Sequence, residues 1–248
     1  MIQRRFALLI ALLFSSNVAR GEPPFLTDDP WVPPLHSWEI NIPYTLTVTP
    51  INSTMQIPLL DINYVLFPDL VVIVDPQVVR FKRSGGNPQV GIGDTTVGVL
   101  WRFLGGLSEF DYQIATEPFI VIPTGDNERG LGLGRPAFQL QLLGQIGREP
   151  FKTYGLGGYN VQLGAGQRNY WNFAWVILYY PSEKGLIGLE ILGNSPQTVG
   201  GKPLIGFDVG TKFNINKNLS LLVSGGRSFL KGRSINLYTG LQFNLNVP

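Results

Sequence analysis

The sequence predicts an all-β fold: an up-and-down antiparallel transmembrane β-barrel of about twelve strands over residues 37–248, behind a signal peptide (1–20) and a Pro-rich lead-in (21–36). Three observations predict it. The first is the stretch from Tyr170 to Tyr180, eleven uncharged residues rich in rings. As a helix it spans roughly 16 Å, too short for a bilayer core of about 30 Å, whereas as a strand tilted at about 45° it reaches roughly 25 Å. Trp171, Phe173, Trp175, Ile177 and Tyr179 share one face of that strand, as lipid-facing positions with interfacial rings should. Taken alone, the stretch also fits a buried strand of a soluble sandwich. The second is a series of similar segments joined by connectors that largely alternate between short and longer. The third is composition: 15% charged against 44% hydrophobic residues, with 30 Gly and 19 Pro, describes a turn-rich and poorly charged chain.

From the amino end, Arg4 and Arg5 precede the apolar run Phe6 to Phe14 and the small or polar residues Ser15 to Ala19, which is the pattern of a secretory signal. A cut after Ala19 takes two cations, Arg4 and Arg5, and leaves as many bases as acids, so the net charge of +2 supports no nucleic-acid partner. Residues 21–36, with five prolines and no periodicity, read as a coil, either a periplasmic lead-in or a segment folded into a lumen. Ser37 to Thr49 then alternates, with Trp38, Ile40, Ile42, Tyr44, Leu46 and Val48 on one face. Eleven further segments follow, at about 53–66, 70–83, 93–104, 110–122, 135–146, 151–163, 170–180, 185–194, 203–214, 219–227 and 234–246. A phase shift at Leu59 and Leu60 predicts a bulge near Pro58, and Gly155, Gly157 and Gly158 predict a crowded or kinked wall.

Connectors at 67–69, 105–109, 147–150, 181–184 and 215–218 are short, while those at 84–92, 123–134 and 195–202 are longer. An outer-membrane barrel has this asymmetry, with short periplasmic turns and longer outer loops; a Greek-key sandwich does not. With the apolar faces toward lipid, the inner set holds Asn41, Asn63, Gln77, Gln113, Gln139, Gln141, Asn160, Gln162, Asn236, Gln242 and Asn244. The charged members expected to line the lumen are Glu39, Asp61, Asp75, Asp94, Arg102, Glu117, Glu190, Asp208 and Lys212. Seven acids against two bases predict a mild preference for cations or neutral molecules over anions.

Little in the chain points to catalysis, a metal or a cofactor. Cysteine is absent, which removes disulfides and thiolate metal sites. The Gly-rich loop 123–135 lacks the Gly-Lys-Ser/Thr of a phosphate cradle, and Asp126 and Glu128 offer too few oxygens for calcium; mutual salt bridges of Asp126, Glu128 and Arg129 are the expected role. The one histidine, His36, precedes the first strand, and no Gly-x-Ser-x-Gly is present, so the chain is not expected to be an enzyme. Asp75, Glu117, Glu190 and Asp208 sharing a lumen leave a paired-carboxylate hydrolase as a remote alternative. Arg80 to Arg83, the one basic run, reads as a snorkelling cluster at the membrane surface.

Tyr238-x-Gly240-x-x-Phe243-x-Leu245 resembles the terminal strand signal read by the bacterial barrel-insertion machinery, although Asn246, Val247 and Pro248 follow it. Further stretches, Phe25-Leu-Thr-Asp-Asp-Pro30, Gly93-Asp94 with Trp101-Arg-Phe103, Pro123-Thr-Gly-Asp126, Gly134-Arg-Pro136, Arg168-Asn-Tyr-Trp171, Thr198-Val-Gly-Gly201 and Gly206-Phe207, in this order, resemble the outer-membrane proteins associated with the meta-pathway of phenol degradation, a transporter-like barrel family. The resemblance implies an outer-membrane barrel that passes small compounds, aromatic or hydrophobic ones among them. The expected function is thus a passive channel or uptake pore in the bacterial outer membrane, with membrane lipid, the insertion machinery and a small solute as partners. The alternatives are a closed structural or sensory barrel and, behind it, a lipid-modifying enzyme.

Overall fold

Alternating apolar and polar side chains give each strand one greasy and one wet face, and a sheet of such strands hides its wet face by closing on itself. The computed structural model describes residues 24–105, 112–164, 166–230 and 234–246; the signal peptide, with Arg4 and Arg5, lies outside the described residues. Among the described residues fifteen strands form one antiparallel sheet. They are β1 (Ser37–Val48), β2 (Asn52–Leu59), β3 (Asp61–Phe67), β4 (Leu70–Asp75), β5 (Gln77–Arg83), β6 (Gln89–Ile92), β7 (Thr95–Gly105) and β8 (Gln113–Ile122). They continue with β9 (Ala137–Arg148), β10 (Phe151–Gln162), β11 (Tyr170–Ser182), β12 (Gly185–Asn194), β13 (Leu204–Asn216), β14 (Leu219–Ser228) and β15 (Ile235–Asn246). β2 with β3, β4 with β5, and β6 with β7 are each one stave of the wall interrupted near its middle, so the barrel has twelve staves. The ring shuts where β1 pairs with β15 from Ser37 opposite Asn246 to Val48 opposite Ile235.

The three interruptions lie on neighbouring staves, at Leu60, Pro76 and Gly93–Asp94. Proline lacks the amide a ladder needs, and the register shifts between Gln56 and Leu59, where the phase change predicted a bulge. The wall stays joined across this kink by Leu60 N–H to the Pro76 carbonyl and Gly93 N–H to the Gln77 carbonyl, each 2.9 Å. The segment expected at 93–104 starts earlier than its alternation predicts, within the connector expected at 84–92. Gln89–Ile92 in fact continues the wall, paired with Val78–Phe81. No kink follows from the glycines of β10, which stays in register with both neighbours, but the crowding is there: a Cβ on Gly155 would lie 2.7 Å from the Trp175 ring.

Turns of two residues join β3 to β4, β9 to β10, β11 to β12 and β13 to β14, all at one end of the barrel, and longer connections stand at the other. Outward positions carry the apolar load: Trp171, Phe173, Trp175, Ile177 and Tyr179 are all exposed, Trp171 by 64%. Rings gather at both rims. At the short-turn end Trp38 meets Tyr64, Trp101 meets Phe103 and Phe151 meets Tyr179; at the other, Tyr159 meets Trp171 and Phe207 meets Phe229. An aliphatic belt between two aromatic girdles is the surface of a barrel seated in a bilayer. Among the described residues no helix is long and apolar enough to cross a membrane.

Candidate functional site: the barrel interior

Two groups of inward side chains toward the short-turn end are apolar. Val65, Val71, Leu100 and Leu143 pack with Val32 of the lead-in, while Tyr154, Val176, Leu178 and Leu186 pack with its Phe25. They form a greasy septum that joins the lead-in to the wall, set among buried polar residues such as Gln113, Gln145, Lys212 and Gln242.

The lead-in is held by specific contacts. Gly188 and Gly210 face each other across β12 and β13 and leave a slot for the Phe25 ring. A Cβ on Gly188 would come within 2.5 Å of that ring, and one on Gly210 within 3.0 Å. Three hydrogen bonds fasten the same stretch. Leu26 N–H donates to a Glu190 oxygen at 3.2 Å, the Thr27 hydroxyl donates to the other, and the Ser224 hydroxyl donates to the Pro24 carbonyl at 2.8 Å. Further on, the Ser37 hydroxyl donates to the Pro34 carbonyl at 2.6 Å, and His36 stands exposed with Nδ1 3.2 Å from the Tyr64 hydroxyl.

Between the lead-in and the wall formed by β1 to β4, β7, β8 and β15 is a cavity of about 330 Å³. Of the nine charged residues expected in the lumen, Glu39, Asp61, Asp75 and Glu117 line it together. Asn41 binds two of them, its amide donating to Glu39 at 3.1 Å and Asp61 at 2.8 Å, and Asn63 donates to Asp61 at 2.7 Å. Glu117 is fully buried, and among the described residues neither of its carboxylate oxygens has a hydrogen-bond partner. Glu190 is committed to the lead-in instead. Directly opposite it in the β12–β13 register stands Asp208, also buried and with both oxygens unpartnered.

The other three lie elsewhere. Asp94 turns to the loop 123–136, accepting Gly125 N–H at 3.0 Å and Leu133 N–H at 2.6 Å, so it anchors a loop and does not line the cavity. Arg102 reaches the short-turn end, where Nε donates to Asp69 at 2.8 Å and Nη1 to Gln113 at 3.1 Å. Asp69 occupies a two-residue turn at φ 66, a conformation aspartate tolerates. Lys212 is buried opposite Leu186. The expected cluster of Asp126, Glu128 and Arg129 also differs: Asp126 accepts the backbone amides of Glu128 and Arg129, while the Arg129 side chain crosses to Gln89 and the Val90 carbonyl.

Sequence reasoning missed the acids that the lead-in itself adds to the cavity, Asp28 and Asp29, and missed Tyr238 from the last stave. The apolar residues of the coil, Phe25, Leu26 and Trp31 among them, are the available signal. Asp28 is open to the cavity but surrounded by protein; that enclosure first, and then Asp61, Glu39 and Glu190, push its carboxyl up to about 7.

Residues 39–246 match the family described as "Putative MetA-pathway of phenol degradation". Among solved structures, the COG4313 outer membrane channel from Pseudomonas putida F1 superposes with a TM-score of 0.66 at 15% identity, over 90% of this chain and 99% of that one. The KdgM porin gives 0.56 at 12% identity, over 82% and 98%. The translocator domain of the autotransporter NalP from Neisseria meningitidis gives 0.53 at 8%, over 98% and 94%. At these identities the likeness is one of fold. No curated protein matches the chain.

Proposed function

The chain belongs to the family described as putative MetA-pathway of phenol degradation, and from that membership we propose that it is a passive channel or uptake pore for small solutes, aromatic and hydrophobic ones among them. One observation carries this reading: a closed twelve-stave wall, apolar outside, encloses a cavity of about 330 Å³ lined by acids and apolar side chains. The aliphatic belt and its two girdles support residence in the bacterial outer membrane, with lipid as the constant partner. Export through the leader at residues 1–20 of a Gram-negative cell, and docking of the last stave through Tyr238, Gly240, Phe243 and Leu245 to the insertion machinery, complete the proposal. No catalytic role is assigned to His36, whose ring meets the Tyr64 hydroxyl and ring.

The fastened lead-in and the septum favour a second reading, a barrel closed at rest that serves a structural or sensory role. Liposome swelling with solutes graded in size and charge separates the two. A channel lets small neutral and cationic solutes in faster than anions of equal size. Swelling no faster than in protein-free liposomes for every solute rejects the channel and leaves the closed barrel.

A further inference from the structure

The cavity walls have a one-sided chemistry. Asp28, Asp29, Glu39, Asp61, Asp75 and Glu117 line it, and no lysine or arginine does among the described residues. A carboxylate kept from water without a counter-charge takes up a proton or recruits a cation. Glu117 is in that position, with 0% exposure and neither oxygen hydrogen-bonded. Among the described residues, Oδ1 of Asp75 and, independently of any charge, Oδ1 of Asn41, which is 1% exposed, also lack a partner. A metal ion needs several such ligands converging on one point, and among the described residues no group of three acids or histidines is placed to hold one. Apolar surface completes the cavity, from Phe25, Trp31, Ile73, Leu100 and Phe119.

Carboxylates dispersed over one wall, with rings and aliphatic chains facing the same space, suit a ligand that carries its charge at one end and a greasy body at the other. We propose that the cavity binds a protonated organic amine of about the size of one substituted ring, its ammonium group turned toward Glu117 and Asp75 and its body against the apolar surfaces. As a statement about cargo this rests on the channel reading; as a statement about binding it does not. A pocket of this kind places an apolar body against hydrophobic surface and fixes it through a few polar groups. Rings such as Trp31 add attraction for a cation close to their faces.

The test uses the full chain, purified in detergent and titrated calorimetrically with phenylethylammonium chloride, 2-phenylethanol and phenylacetate, a cation, a neutral molecule and an anion of similar shape. The ammonium should bind about tenfold more tightly than the alcohol, and the anion more weakly than both. Glu117→Gln should weaken ammonium binding about tenfold and leave the alcohol unchanged, with Asp75→Asn acting in the same direction. Equal affinities for the three probes, an unaltered ammonium affinity in both variants, or displacement of the ammonium by equimolar calcium chloride would each overturn the proposal. Uptake of the same amine into liposomes separates it from the channel reading: binding without uptake keeps the site and rejects the channel, and uptake without binding does the reverse.

Discussion

Phe25 has its place because two residues lack a side chain. A methyl group on Gly188 would stand 2.5 Å from the ring, so Gly188→Ala should expel Phe25 from its slot while leaving the β12 ladder intact. The expected result is a larger single-channel conductance in planar bilayers and faster proteolysis of the lead-in; unchanged values of both would mean that the ring does not restrict the lumen. Asp28 gives the interior a dependence on acidity. Its raised carboxyl is charged above about 7 and neutral below, so the preference for cations should fall as pH is lowered from about 8 to about 6. Asp28→Asn should flatten that step, as reversal potentials across a salt gradient will show. Neither role could be read from the chain. Glycine in a strand reads as weakness, and the ring that fills its space lies more than a hundred residues earlier. Asp94 looked like its alternating neighbours until the loop amides of Gly125 and Leu133 supplied its partners.

Strands were far more legible than single side chains, because an alternation of period two is a local property and a change of face along a stave disrupts every neighbour. β11 is the clearest case, with its five large residues facing outward as the alternation required. Depth along it should set the cost of a charge: Ile177→Arg, in the belt, costs about 2–4 kcal/mol of folding stability in lipid, and Trp171→Arg, at the rim, about 0–1 kcal/mol. Urea titration in phospholipid vesicles measures both, and equal costs would contradict the assigned depth. The breaks were harder to see. Pro58 marks one through the phase shift, whereas the one at Pro76 leaves the inward set running on from Ile73 and Asp75 to Gln77 and Val79; at Gly93–Asp94 the inward set passes from Gly91 to Thr96 and Gly98, and the few residues of Gln89–Ile92 ahead of that change read as loop. Conformations that keep the pattern while interrupting the ladder leave no trace in a reading based on pattern.

At the scale of the molecule, wall and lead-in make one object, and removing residues 24–34 should raise conductance several-fold without preventing the β1–β15 closure. Bilayer recordings check the first part, and slower gel mobility after boiling checks the second. A deletion that leaves conductance as it was would place the barrier in the septum residues alone. The closing seam also governs how such an object is made. Ser224 grips the carbonyl of Pro24, 200 positions earlier in the chain, from within a ring whose last join is between its first and last staves. Contacts that distant form late and slowly. A coil with five prolines would thread poorly into a finished cylinder, so it is best laid across the curved sheet while the seam is still apart and trapped as the final ladder zips. Biogenesis would then deliver the protein already corked, and any opening becomes a later event in its working life.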